Sequence, residues 1–178
     1  HLAELMNNQG LIVAVDNHRG RLRELKANLR RGGVRIVQPL LADAALAPPL
    51  KPALFDIAAV DAPCSALGIL RRHPEIKTRL QETDLATFPP RQRALLAAAA
   101  PLLKPGGRLL YITCTTEPEE NQEVVEEFLA ERREFRLATD PAALPPAARS
   151  LIQPPGYFLT SPETHSLDAF FAAVLEKT

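Results

Sequence analysis

Three apolar runs in this chain stop on a chemically active side chain, and that pattern constrains the fold more than any other feature. Leu11-Ile12-Val13-Ala14-Val15 ends on Asp16, Phe55 to Val60 ends on Asp61, and Arg108 to Thr113 (RLLYIT) meets Cys114. A continuous apolar run such as the first reads as a strand buried on both faces, and the second reads as buried too. Between the runs the apolar period lengthens. Residues 19–31 place Leu22, Leu25 and Leu29 on one helical face, closed by Gly32-Gly33. Residues 84–103 predict a helix or two, with Pro89-Pro90 near the start and Pro101 bending or ending the last turn. Thr116-Glu117-Pro118-Glu119 has capping-box form, and the helix it opens, to about residue 131, buries Val124, Val125, Phe128 and Leu129. Residues 1–7 read as a helix end stopped by Asn7-Asn8-Gln9-Gly10. Val34–Leu40, Phe135–Ala138 and Asp168–Leu175 read as further strands, and residues 44–53 as loop. Pro105-Gly106-Gly107 is a turn. Residues 140–167 read as a long irregular loop, with six prolines before residue 166. Strands alternating with helices predict an α/β parallel sheet, and in such sheets ligands sit at the carboxyl ends of the strands. Asp16, Asp61 and Cys114 stand at those ends.

Composition removes several classes. At 178 residues the chain has the size of one domain, 1–178, able to bury a core. With 46% apolar and 24% charged residues it is not a disordered chain. No apolar run approaches the ~20 residues of a membrane span, so no membrane partner is expected. The first residues lack a signal-peptide pattern. Two cysteines make no disulfide framework and too few ligands for a structural zinc site, so no metal is expected and a cytoplasmic location is the default. Lys+Arg 21 balances Asp+Glu 21, so a case for nucleic acid must come from local chemistry.

The acids at the strand ends carry two readings each. Asp16 either holds both hydroxyls of a ribose or caps the helix that follows. Asp43, after the second strand, either accepts a hydrogen bond from an adenine amino group or is a plain loop acid. In Asp61-Ala62-Pro63-Cys64-Ser65 a proline fixes the chain direction and presents a thiol beside an acid. Cys114 lies ahead of a predicted helix N-terminus, whose dipole favours the reactive thiolate. A free cysteine is more often a small buried hydrophobe. Finding both of the chain's cysteines at strand ends, one of them beside an acid, is harder to assign to packing.

Asp61-Ala62-Pro63-Cys64-Ser65, Thr113-Cys114-Thr115 and Pro118-Glu119-Glu120-Asn121 together resemble the RNA cytosine-5 methyltransferases that use S-adenosylmethionine. The run Leu70 to Lys77 (LRRHPEIK) and the closing Asp168-Ala169-Phe170-Phe171 narrow the resemblance to the bacterial Sun/Fmu type, which acts on a cytosine of small-subunit ribosomal RNA. The resemblance implies a Rossmann-like class I methyltransferase sheet with helices on both faces. It implies Cys114 as the nucleophile that adds to carbon 6 of cytosine, Asp61 as the group at ring nitrogen 3, and Cys64 as the residue linked to product release. It assigns Asp16 and Asp43 to the ribose and adenine of S-adenosylmethionine, with Asp61 at the edge of the same site. Thr115, Leu67 and Ala169 replace the Ser, Thr and Gly usual in the family.

Arg71, Arg72, His73 and Lys77 follow the first cysteine loop and are candidates for RNA backbone or base-edge contact. The basic helix from Arg19 to Arg35 reads rather as a solvated face. Two rivals stand beside the methyltransferase. One is a thiol oxidoreductase using Cys64 and Cys114, against which the wide spacing and absence of Cys-x-x-Cys argue. The other is a non-catalytic fragment that binds RNA or a partner. The first, central strand of the family's sheet and its cofactor glycine loop are absent from these 178 residues, which reads as an N-terminally incomplete catalytic domain. The expected outcome of titrating S-adenosylmethionine into this chain in a calorimeter is therefore weak binding or none; tight binding contradicts it.

Overall fold

Each apolar run becomes a strand, but pairing sorts the strands into two sheets, in two compact units, His1–Pro49 and Leu50–Thr178. The structure is a computed structural model and describes residues 1–138 and 146–178.

In the first unit α1 (Leu2–Leu5) leads to β1 (Ile12–Asp16), α2 (Arg19–Arg31) and β2 (Val37–Leu41). β1 and β2 are parallel, from Ile12 opposite Val37 to Asp16 opposite Leu41. The crossover α2 buries Leu22 and leaves Leu25 and Leu29 half-buried, as its apolar stripe predicts. Gly33, at φ +63°, turns the chain out of the helix. The strand is not buried on both faces. All five residues of β1 are half-buried, because among the described residues only β2 pairs with it.

The second unit runs β3 (Phe55–Asp61), α3 (Ile76–Arg79), α4 (Glu82–Leu85), α5 (Phe88–Ala99), β4 (Leu103–Thr113), α6 (Gln122–Glu131), β5 (Phe135–Leu137), α7 (Pro146–Arg149), β6 (Ile152–Gln153), β7 (Tyr157–Thr160), α8 (Pro162–His165) and β8 (Phe170–Lys177). Its sheet has the order β3-β4-β8-β7-β6, with β5 also on β8. β3 and β4 are parallel, and every other pair is antiparallel. The sheet is therefore mixed. β3 is its edge, which is why Ile57 stands 64% exposed where a buried strand was expected.

Three local readings are corrected. Pro105-Gly106-Gly107 is a bulge inside β4 rather than a turn before it: two steps along β3 match five along β4 between Phe55–Leu103 and Ile57–Arg108, and Gly106 takes φ +76°. The capping box does not form. A 3₁₀ turn at Pro118–Glu120 intervenes and α6 starts at Gln122, because the side chains of Glu120 and Asn121 are drawn inward. Of the irregular loop expected over 140–167, residues 140–145 lie outside the described residues. The rest forms α7, the β6–β7 hairpin and α8, since Tyr157–Thr160 finds a partner in β8 that no local pattern announces.

The core gathers Leu96 from α5, Leu109 and Tyr111 from β4, Val124, Val125 and Phe128 from α6, and Phe171 and Leu175 from β8. Phe171 is fully buried, with its ring 6.2 Å from Tyr111 and 5.1 Å from Tyr157. Lys177 ties the end of β8 to the Pro101 turn by donating to the carbonyls of Ala100 and Leu103, at 3.2 and 2.9 Å. Among the described residues no helix is long and apolar enough to cross a membrane. Phe171→Ala is expected to lower unfolding free energy by about 3–5 kcal/mol, read from urea melts of the chain.

Candidate active site

The parallel register sets Asp61 opposite Ile112, and Ala62 N donates to the Ile112 carbonyl at 2.9 Å. Cys64 and Cys114 follow within a few residues of that pair, so both leave the sheet at one edge. Their sulfurs are 3.4 Å apart although the residues are fifty positions apart, and Cys114 N donates to Cys64 Sγ at 3.4 Å. Both thiols are free and half-buried. Asp61 stands exposed at the same strand end, with its charge felt at Cys114. The structure thus brings Cys64, Cys114 and Asp61 together.

The residues on either side of each cysteine are pinned. Gln92 Nε2 donates to the Pro63 carbonyl at 3.0 Å and to Glu120 Oε2 at 2.9 Å. Ser65 N donates to the same carboxylate oxygen at 3.0 Å. Ser65 Oγ and Thr115 Oγ1 share a hydrogen bond of 2.6 Å, and Thr115 Oγ1 donates to Glu120 Oε1 at 3.4 Å. Asn121 accepts from Thr113 Oγ1 at 2.5 Å and donates to the Thr115 carbonyl at 3.0 Å. Gly68 N donates to the Cys114 carbonyl at 3.0 Å, and the Gly68 carbonyl accepts from Ala169 N at 2.9 Å. A Cβ at Gly68 would lie 2.8 Å from the Cys114 oxygen, so only glycine lets the loop approach this closely.

The two thiols hold one charge between them. Cys64 is lowered to about 7, first by the hydrogen bond from Cys114 and then by backbone N–H groups of Cys114 and Ala66, against burial and the Glu120 charge. Cys114 is pushed up, first because its proton is held by Cys64, then by burial and by the charges of Cys64 and Asp61. The anion therefore rests first on Cys64, not on Cys114. The helix dipole expected to favour a Cys114 thiolate is not at hand, since α6 begins only at Gln122.

The remaining candidates divide by unit. In the first unit Asp16 accepts from His18 N at 2.7 Å and from Arg21 Nε and Nη2 at 2.7 and 2.8 Å, and Arg21 holds its carboxyl below the usual range. The cap of α2 is His18, whose Nδ1 accepts from Arg21 N. Ala42 N donates to the Asp16 carbonyl at 3.2 Å, so Asp43 follows at the neighbouring strand end, where it accepts from Ala45 N at 3.0 Å. In the second unit Arg71 Nη2 meets Asp168 Oδ1 at 3.2 Å, and Arg72 Nε pairs with the other oxygen of the same buried acid. His73 Nδ1 is 3.0 Å from Glu75 Oε1, and Lys77 is exposed on α3. A cavity of about 180 Å³ opens beside Thr115 and Thr116, lined also by Gln122, Gln153, His165 and Phe170.

Sequence reasoning quoted Ser65, Glu120, Asn121 and Asp168 as motif residues without giving them a role, and passed over Gln92. One signal was available: Gln92 lies one helical turn before the buried Leu96, a polar side chain on an apolar stripe.

A parallel pair continued by an antiparallel closing strand, flanked by helices, defines a class I methyltransferase sheet. The chain is similar to PH0851 (40% identity, TM-score 0.85, covering 99% of this chain and 39% of that one). It is also similar to NSun6 from Pyrococcus horikoshii, solved with SFG (30% identity, TM-score 0.79, covering 99% and 44%). The chain belongs to the family described as 16S rRNA methyltransferase RsmB/F, whose model matches residues 1–176. The probable ribosomal RNA small subunit methyltransferase B of Synechocystis is 38% identical over 99% of this chain and 40% of its own length. The ribosomal RNA small subunit methyltransferase F of Serratia proteamaculans is 33% identical over 99% and 37%. The chain thus spans about two fifths of the length of these curated relatives.

Alkylation by iodoacetamide is expected to modify Cys64 first, with a rate that rises through a midpoint near pH 7 as its proton leaves. Cys114→Ala removes the donor and should move that midpoint up toward the ordinary thiol value of about 8.5; an unmoved midpoint contradicts the shared charge.

Proposed function

We propose that this chain is the catalytic part of an enzyme that moves a methyl group from S-adenosylmethionine to carbon 5 of a cytosine in RNA, within small-subunit ribosomal RNA. The observation that carries the reading is the contact of Cys64 and Cys114, 3.4 Å apart at the strand end that bears Asp61. Family membership and the likeness to NSun6, solved with an S-adenosylmethionine analogue, support it.

Cytosine carbon 5 is a poor nucleophile until a thiolate adds to carbon 6. Cys114 Sγ forms that bond while its proton passes to the Cys64 thiolate it already faces. Asp61 delivers a proton to ring nitrogen 3 as the sulfur adds, so that no net negative charge builds on the ring, and takes it back as the product forms. Carbon 5 then takes the methyl group and gives up its proton to solvent water, and the electrons of that C–H bond form the ring double bond as the Cys114–carbon 6 bond breaks. Cys64 acts at this release, returning the proton that Cys114 needs as it leaves. Only one thiol of the pair has to be ionised at neutral pH, which is the state the geometry favours.

Asp16 and Asp43, at adjacent ends of parallel strands, would hold the ribose and adenine of the cofactor. S-adenosylmethionine supplies an electrophilic methyl group when bound. On the RNA side, Arg71 and Arg72 are anchored through Asp168 but remain 61% and 69% exposed, so their outer donors are open to phosphate, with His73 and Lys77 beside them. The target base leaves its stack to reach the thiols.

An RNA with 5-fluorocytosine at the target, which has no carbon 5 proton to lose, tests the scheme. With S-adenosylmethionine and the protein carrying this chain, a covalent adduct is expected on denaturing gels. Cys114→Ala abolishes it, whereas Cys64→Ala leaves Cys114 to ionise on its own, so adducts form more slowly but, with release blocked, accumulate with ordinary cytosine as well. An adduct that survives Cys114→Ala overturns the assignment.

A further inference from the structure

The methyl-transfer scheme uses two thiols and an acid but leaves Glu120 without a part. Its residue is 1% exposed, and a carboxylate is costly to bury unless donors surround it. The donors it has come from the two cysteine loops and from Gln92 of α5, which itself holds the first of those loops. Ser65 N, one residue after Cys64, and Gln92 Nε2, which also holds the carbonyl one residue before Cys64, meet Oε2. Thr115 Oγ1, one residue after Cys114, meets Oε1 and is joined to Ser65 Oγ. The Glu120 carbonyl accepts from Tyr111 OH at 2.6 Å, which fixes the acid to the core of the sheet. A thiol–thiol hydrogen bond is weak, so the sulfur contact does not hold the loops together; the carboxylate behind them does.

We propose that Glu120 is the positioning residue for both thiols: one buried carboxylate grips the chain on either side of Cys64 and just after Cys114, and so sets the distance between the sulfurs. The role deepens the methyl-transfer reading and draws its catalytic meaning from it, but the geometry concerns the thiols alone.

Charge and grip separate by substitution. The charges acting on the pair are those of Asp61, at Cys114, and Glu120, at Cys64. Glu120→Gln removes the charge and keeps a side chain of the same length. Glu120→Ala removes both. Two readouts need neither RNA nor cofactor: the pH profile of Cys64 alkylation by iodoacetamide, and the rate at which diamide closes a Cys64–Cys114 disulfide. In the second reaction the two thiols give up two electrons and two protons to the N=N bond of diamide, which becomes a hydrazine as the S–S bond forms. The surface variant Glu176→Gln is the control, and urea melts are recorded for every variant.

Glu120→Ala is expected to raise the alkylation midpoint from about 7 toward the ordinary value, cutting the rate at pH 7 by about tenfold or more. Disulfide closure should slow by about tenfold as the effective concentration of one thiol at the other falls. Glu120→Gln should leave the midpoint in place or lower it, and Glu176→Gln should change neither reading. A Glu120→Ala protein that melts earlier but keeps both wild-type readings overturns the proposal, because a merely structural acid would do that. If Glu120→Ala does not fold, Gln92→Ala and Thr115→Val, which remove the side-chain donors to the carboxylate, must each shift both readings in the same direction, and unshifted readings overturn it. Should the thiols behave as stated while no adduct forms with 5-fluorocytosine RNA, the positioning role is supported and the methyl-transfer reading alone fails.

Discussion

The parallel pairing of β3 with β4 is the constraint on which the site depends. Backbone hydrogen bonds fix Asp61 against Ile112, and a slip of one residue would turn every side chain beyond it to the other face of the sheet. With the register held, two loops fifty positions apart leave the sheet side by side. The bulge at Pro105–Gly107 matters here too. It takes up three extra residues of β4 far from the site, so the strand is long enough to cross the core and still reach Cys114 in register.

Ionisation in this arrangement comes from sharing rather than from a basic neighbour. Among the described residues no helix N-terminus adjoins Cys114, and the nearby fixed charges, Asp61 and Glu120, both oppose ionisation. What favours a thiolate is a second thiol within hydrogen-bond reach and two backbone N–H groups at Cys64. Such a pair loses one proton readily, from Cys64, and the next with difficulty, because the first charge opposes the second. In the proposed scheme that asymmetry suits a nucleophile that must receive a proton back when it departs, because the partner that took the proton remains in contact.

The strands and the chemistry at their ends were legible in the sequence because both are local. An apolar run stops, and an acid or a thiol follows. Asp16, Asp61, Cys64 and Cys114 were all read from such stops. What stayed hidden depends on partners far along the chain. Burial of β1 and β3 was overread because an apolar run does not show whether a strand is central or an edge. The capping-box pattern at Thr116–Glu119 failed because Glu120 and Asn121 are drawn to Ser65, Gln92, Thr113 and Thr115 instead. Six prolines masked the β6–β7 hairpin, whose support is β8. Arg71 and Arg72 read as free cations because Asp168 lies 97 positions beyond Arg71. The contact of the two thiols has the same origin: the fold, not the sequence interval, sets the distance between Cys64 and Cys114.

The mixed character of the sheet completes the site. Had the closing strand run parallel to β4, its far end would have met the cysteines and its entry would have lain at the opposite edge. Because β8 is antiparallel, Thr113 pairs with Phe171, and the residues that enter β8, Asp168 and Ala169, arrive beside Cys114. Ala169 N then takes the Gly68 carbonyl, and Asp168 takes both arginines of the loop that follows Cys64. The direction of one strand thus decides that the cysteine loop is closed by a buried acid, and that its two guanidinium groups are held pointing outward from a fixed base. On the proposed reading, arginines fixed in this way have less side-chain freedom left to lose on meeting a phosphate, so the ion pairs that occupy part of their donors would prepare the rest for it.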